Sequence, residues 1–294
     1  LTLRSATFIS DSGATVHFGA APPFYFGSLT DSLGAAAESV KPPRMAGKKT
    51  YFVSLSERTI ILKGQLFPAG DKKNKAARMR DYYKTHLARA FLPNIWGLLI
   101  YHTEDGDRQI RCRATATPTV TEGENKLLAD VSIDFDTDGA LWESTDLQTA
   151  TIGGIRRMFH FPWSPQQAPM GVYVPRTVVT NDWVEEVFPV IEVYSTAQNH
   201  VTISNETTGA FMTLNHSIGE GQKLVVDMED VYAVLWELDG AGNYAEVEDV
   251  SQWLSIDSDP WGLIPGENVV SVINENPSDT PLSYIQFRRK YGGV

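Results

Sequence analysis

The chain is almost without cysteine and short of positive charge, and both scarcities narrow what it can be. A single cysteine, Cys112, in 294 residues excludes any disulfide within the chain. It lies in Gln109-Ile-Arg-Cys-Arg113, where polar and apolar residues alternate, and reads as a small buried strand residue rather than a nucleophile. Lys and Arg number 25 against 36 Asp and Glu, a formal charge of −11 and a pI of about 5.0. Nucleic-acid and anionic-membrane surfaces rely on clustered cations, so an acidic chain argues against both. No stretch approaches the ~20 apolar residues of a membrane span. Leu1-Thr-Leu-Arg-Ser5 starts no signal-peptide pattern. Neither a membrane anchor nor standard secretion is expected.

Catalytic motifs are missing as well. The six histidines (His17, His86, His102, His160, His200 and His216) include no pair at metal-ligand spacing. There is no Gly-x-Ser-x-Gly elbow and no phosphate loop. Gly240-Ala-Gly242 reads as a hairpin turn, because no helix follows it. The expectation is no enzyme and no cofactor.

What is present is a core's worth of apolar residues, 42% of the chain, distributed mainly in strands. Residues 1–50 read as irregular and are rich in Gly, Ala, Ser and Pro, and between Gly27 and Gly47 read as an ordered loop or arm. Thr59–Phe67 is β-rich. One helix is expected over Asp71–Phe91, with Asp71 as N-cap and an apolar stripe of Ala76, Met79, Tyr83, Leu87 and Ala90. Trp96–Tyr101 and Ile110–Thr115 read as a hairpin around Glu104-Asp-Gly-Asp107. In Lys126–Asp136, Ala129, Val131, Ile133 and Phe135 alternate with Asp130, Ser132, Asp134 and Asp136, giving one buried and one wet face. The fold class expected is an α+β N-terminal domain, a sheet with one long helix, followed by an all-β sandwich.

Glycines and prolines punctuate residues 138–182 and mark a boundary. The domains expected are 1–150, a joint at 151–180, and 181–294. Strands recur every 8–12 residues through the last part, the spacing of a sandwich.

Three clusters carry possible chemistry. Asp134-Phe-Asp-Thr-Asp-Gly139 opens like a calcium loop, with Asp134, Asp136 and Asp138 at alternate positions. The twelfth position, where a bidentate acid belongs, is Thr145, so a solvated strand face competes with the metal reading. The helix concentrates Lys72, Lys73, Lys75, Arg78, Arg80, Lys84 and Arg89. They form either a solvated face or a docking surface for an acidic neighbour. Trp253 and Trp261 lie near turns and could stack sugars, whereas Trp236 sits in an apolar run. The sequons at Asn205 and Asn215 read as turn residues.

In the last third, Phe188–Val193, Val201-Thr-Ile-Ser-Asn-Glu-Thr-Thr-Gly209, Gly221-Gln-Lys-Leu-Val-Val-Asp227, Trp253-Leu254 and Trp261-Gly-Leu-Ile-Pro-Gly-Glu-Asn268 occur in an order that resembles the distal tail protein family of siphovirus-type phages. The ending Ile285–Tyr291 fits that pattern too. The Tyr51–Leu66 strand, the helix at 71–91, the Trp96–Tyr101 hairpin and the Leu128–Phe135 strand resemble the family's belt domain more loosely, and residues 1–50 and 138–182 are not matched. The resemblance implies a structural virion protein at the tail tip, forming a hexameric ring through its N-terminal belt. A galectin-like sandwich would face baseplate or host-recognition parts. Implied partners are further copies of itself, the tail tube protein, a tail-tip or tail-associated protein and a receptor-binding protein, with DNA only passing through the channel. Under this reading Lys72, Lys73, Arg78, Arg80 and Lys84 are expected at subunit interfaces, and Asp130, Asp134 and Asp136 facing the lumen. The alternative is a carbohydrate-binding module for cell-wall glycans.

Overall fold

The computed structural model describes residues 4–40, 49–67, 73–122, 128–157, 171–194, 200–274 and 282–293. It divides into two compact units, Leu1–Asp146 with Lys290–Val294, and Leu147–Arg289.

The first unit is built on antiparallel ladders. Strands β1 (Ser5–Ser10) and β2 (Thr15–Phe18) form a hairpin. Strand β3 (Phe24–Val40) pairs along its length with β4 (Lys49–Leu66). Helix α1 (Lys73–Ala90) follows, then β5 (Trp96–His102), β6 (Arg108–Ala114), β7 (Thr119–Glu122), β8 (Ala129–Thr137) and β9 (Trp142–Ile152), within which the unit ends. One run of neighbours is β2-β1-β5-β6, and another is β3-β4-β8, with β8 also paired to β6 and β7.

Alternation sets the register. Ala129, Val131, Ile133 and Phe135 of β8 are buried while Asp130 and Asp134 are exposed, as a half-buried strand requires. Phe8, Phe91 and Phe135 meet at ring-centroid distances of 4.6, 5.6 and 5.8 Å. Each buried ring contributes roughly 2–3 kcal/mol of transfer free energy. Gly97 lies under this cluster, where a Cβ would strike the Phe8 ring and the Ile9 carbonyl. Helix α1 adds Leu87 and Ala90 to the same core.

The expected α+β first half is overturned. Twenty strands stand against one α-helix and one 3-10 turn among the described residues, and the protein is a nearly all-β molecule. The helix is real, but a single amphipathic helix on a set of antiparallel ladders does not make a helical layer. Residues expected to be irregular hold β1, β2 and the 17-residue β3. Strands also occupy the stretch read as a joint: β10 (Gly154–Arg157) pairs with β11 (Gly171–Val174), and β12 (Arg176–Asn181) follows.

The second unit is a two-sheet sandwich. One sheet orders β18 (Tyr244–Asp249), β17 (Tyr232–Leu238), β16 (Gln222–Asp227), β13 (Val190–Tyr194) and β20 (Leu282–Tyr291). The other orders β12, β19 (Gly266–Asn274), β14 (Val201–Asn205) and β15 (Ala210–Leu214). Ile191, Leu224, Leu235 and Ile285 from the first sheet pack with Ile203, Met212, Val270 and Val272 from the second.

Candidate functional site

The polar features of the first unit centre on the face of β8 and on the root of the β3–β4 hairpin. On β8, the Gln65 amide donates to the Asp130 carboxylate at 3.1 Å. Asp136 lies against Arg113, whose guanidinium donates to it at 3.1 and 3.3 Å, and Asp138 lies 3.8 Å from Arg111. Asp134 is exposed on the same strand. Two of the three calcium candidates thus face guanidinium groups, which is poor ground for a cation. Among the described residues no group of three or more His, Cys, Asp or Glu side chains could hold a metal ion.

Of the basic helix residues, Lys72 lies outside the described residues, and the side chain of Lys73 does too. Arg78 is exposed. Arg80 and Lys84 reach the Glu122 carboxylate on β7 at 3.1 and 3.8 Å. Part of the charge read as a docking surface is therefore spent within the unit, holding α1 to β7. The half-exposed Glu122 makes each contact worth ~1 kcal/mol or less.

The root of the hairpin holds a buried ionic cluster that the sequence did not flag. Arg58 is fully buried on β4 and donates to the Asp31 carboxylate of β3, to the Ala140 carbonyl at 2.7 Å and to the Gly292 carbonyl at 2.7 Å. The Trp142 indole N–H donates to the same Asp31 carboxylate at 3.1 Å. Arg108 donates to the Gly293 carbonyl and stacks 4.5 Å from the Tyr291 ring. The chain's last described residues are thereby gripped where the hairpin leaves the body of the unit. The signal was an arginine two residues before the Ile60-Ile-Leu62 run, and no local pattern names its partners.

A second unflagged group is a line of side chains on β1, β2 and β5. The Thr7 hydroxyl lies 2.9 Å from His17 Nδ1 and 3.0 Å from His102 Nε2, and His102 Nδ1 lies 2.8 Å from Asp107. The order Asp–His–Thr looks like a hydrolase relay. Thr7, however, sits within ladders on both sides, paired with His17 and Ile100, so it has no sharp turn to present its hydroxyl to a substrate. Two imidazoles also share that one hydroxyl.

In the second unit the motif residues turn out to be structural. Asn205 and Asn268 are fully buried and meet between the neighbouring strands β14 and β19 of one sheet, the Asn205 amide donating to Asn268 Oδ1 at 3.1 Å and to the Gly262 carbonyl at 3.0 Å. The Asn268 amide donates to the Ile264 carbonyl at 2.7 Å, and its own oxygen accepts the Ile264 N–H at 3.0 Å. Both asparagines thus tie turns to strands from inside. Of the candidate sugar-stacking tryptophans, Trp261 is 3% exposed and belongs to the core, while Trp253 is 46% exposed beside His216 at 5.4 Å. Cys112 is fully buried, and burial pushes its thiol far up from its ordinary range, which leaves it an inert core residue.

Comparison with known proteins adds the missing context. Residues 184–291 match the family model described as the siphovirus-type tail component, C-terminal domain. No curated protein sequence matches. Among solved structures, the chain is similar to the SPP1 Dit (gp 19.1) protein, described as a paradigm of hub adsorption apparatus in phages infecting Gram-positive hosts. The TM-score is 0.65 at 16% identity, over 97% of this chain and 99% of that one. It is also similar to a chain of the phage P2 baseplate in its activated conformation with Ca, with a TM-score of 0.56 at 11% identity over 100% of both chains. The same baseplate with Sr gives 0.56 and 11% over 99% of each chain. At these identities the structural likeness speaks for the fold.

Proposed function

We propose that the chain, whose residues 184–291 match the siphovirus-type tail component model, is a structural protein of the distal tail protein family at the virion's tail tip and forms a closed ring of six copies there. The ring would link the tail tube to the host-recognition parts. The observation that carries this reading is the family match of the second unit, taken with a first unit that resembles a hub protein over its whole length. The first unit makes the ring and the second points to the baseplate or receptor-binding neighbours. Heterologous contacts close into rings when the rotation between copies closes.

Within that reading, Arg78 with Lys72 and Lys73 contributes to contacts between copies, while Arg80 and Lys84 stay with Glu122 and brace the helix that carries them. Asp130 and Asp134 face the channel, where negative charge repels passing DNA, and Asp136 lies beside them, offset by Arg113. The exposure of Asp130 and Asp134 on one strand face supports this. Mass measurement of the purified chain tests the ring: the expected particle is six times 32.5 kDa. A monomer at high protein concentration, with no ring on isolated tails, would refute it. A second reading, glycan binding, is favoured by the exposed Trp253 beside His216. Binding of cell-wall glycan that is lost in Trp253→Ala supports it, and a blank glycan array removes it.

A further inference from the structure

We propose that strand β12 of the second unit takes up an extended segment of a basic partner protein, which joins the four-stranded sheet as a further strand. This rests on the tail-tip reading, which sets host-recognition neighbours beside this unit.

The sandwich guards its other borders. The segment 253–259 covers β15: the Asn215 N–H donates to the Trp253 carbonyl at 3.0 Å, the Ser255 N–H to the Thr213 carbonyl at 2.8 Å and the Asp259 N–H to the Phe211 carbonyl at 2.9 Å. Strand β20 is bonded on its outer side to β9. Strand β18 carries the exposed Glu246, Glu248 and Asp249, and its register with β17 slips at Leu235/Trp236. Charges and bulges are the features that keep a sheet edge from pairing with a foreign strand.

Strand β12 has none of these guards. Arg176-Thr-Val-Val-Thr-Asn181 pairs with β19 without a break in register and contains no acid and no lysine. Its one charge, Arg176, is turned to Glu206 at 3.4 Å. The Val272 N–H donates to the Pro175 carbonyl at 3.0 Å, and bonding alternates along an antiparallel strand. Thr177, Val179 and Asn181 therefore bond to β19, while the N–H and carbonyl groups of Arg176, Val178 and Thr180 point away from it. Among the described residues no strand pairs with that side. A row of unpaired backbone groups on a β-rich strand recognises one kind of ligand, another extended backbone.

Side chains and charge select the partner. Val178 is 58% exposed on the outer face, opposite Val269, and suits a β-branched residue beside it. Thr180 lies opposite the exposed Glu267. A Lys or Arg facing Thr180 reaches over it toward that carboxylate, two strand spacings or ~10 Å away. In an antiparallel approach the segment thus reads Lys/Arg-x-Val/Ile. The charge of the unit excludes the simplest alternative, a second copy of β12. Residues 147–289 hold six Lys and Arg against 19 Asp and Glu, a formal charge of −13, so two such units repel each other and a basic partner is drawn in.

Hydrogen exchange of the unaltered full chain, alone and in purified tails, tests this residue by residue. The amides of Thr177, Val179 and Asn181 should be slow in both states, and those of Arg176, Val178 and Thr180 at least tenfold slower in tails than in the chain alone. In parallel, Thr180→p-benzoylphenylalanine should cross-link, in tails, to a segment of another protein that carries the Lys/Arg-x-Val/Ile pattern. Val178→Pro deletes an outward N–H and leaves the bonds to β19 in place, as proline on an edge strand allows. It should cut the cross-link at least tenfold with the melting of the full chain unchanged. Outward amides that exchange equally fast in both states, or a cross-link to another copy or to an acidic segment, overturn the strand addition and leave the tail-tip reading standing. Tails that do not contain the chain overturn both.

Discussion

Asp31→Ala removes the only carboxylate among the described residues that the buried Arg58 guanidinium contacts. Two backbone carbonyls, of Ala140 and Gly292, remain at 2.7 Å, and they satisfy hydrogen bonds but carry no net charge. The variant also orphans the Trp142 indole N–H, which donates to Asp31 at 3.1 Å inside the core. Breaking a buried ion pair by removing one partner costs about 3–5 kcal/mol, and a stranded buried donor a further ~1–3 kcal/mol. Relaxation and water entry offset part of this, so a loss of about 4 kcal/mol is expected. Chemical denaturation gives the magnitude, and hydrogen exchange along β3 and β4 shows where protection is lost. In an Arg58→Met background the same substitution should cost at least 2 kcal/mol less, because no buried charge is left uncompensated. A cost below about 1 kcal/mol in Asp31→Ala, or equal costs in the two backgrounds, would refute the cluster as the lock at the hairpin's root.

Further predictions concern the second unit and Cys112. Val231 has φ of +52°, a left-handed conformation that is an outlier for a β-branched residue, in the turn that Asp227 caps by accepting the Glu229 N–H at 2.8 Å. Val231→Asn should raise stability by about 1 kcal/mol, read as a higher denaturation midpoint, and an unchanged or lower midpoint contradicts the strain. Asn268→Ala strands the Ile264 N–H and takes one of the Asn205 amide's two acceptors, leaving the Gly262 carbonyl, and should lower stability by about 2–3 kcal/mol; thermal melting would show it, and a loss under 1 kcal/mol would speak against the buried network. Tyr194 is pushed up to about 12 from its ordinary 10 by burial, then by its bond to Glu192 at 2.9 Å. The folded state favours the neutral phenol, so this contribution is complete below pH 10 and fades as pH rises toward 12. Ultraviolet titration should resolve one tyrosine near 12 that disappears in Tyr194→Phe; its persistence would reassign the shift. Cys112 should resist thiol reagents in the native chain and react only on unfolding.

Strands with one wet and one dry face were legible in the sequence. The alternation at 129–136 is that of β8, and Glu104-Asp-Gly-Asp107 marks a turn where Gly106 takes φ of +113°. The outer part of β3 was not legible, for a physical reason. Gly34, Ala35, Ala36 and Ala37 face solvent on both sides, so no hydrophobic period exists to be read, and the strand is specified by its partner β4. The helix was visible from its stripe, but its weight in the fold was overestimated, because a period says where an element lies and not how many strands surround it. The Arg58 cluster joins residues 31, 58, 140, 142 and 292, and no local window contains such a set. The motif asparagines Asn205 and Asn268 stood out in the chain order, yet only the structure shows that they bond to each other rather than to a ligand.

Electron microscopy of tails labelled with antibody against the second unit tests the chain's place and symmetry in the virion most directly. Label is expected at the tail's distal end and, in averaged end-on views, as a sixfold ring around an open channel. Label along the tube or on the capsid, or an end-on density without sixfold symmetry, would contradict it.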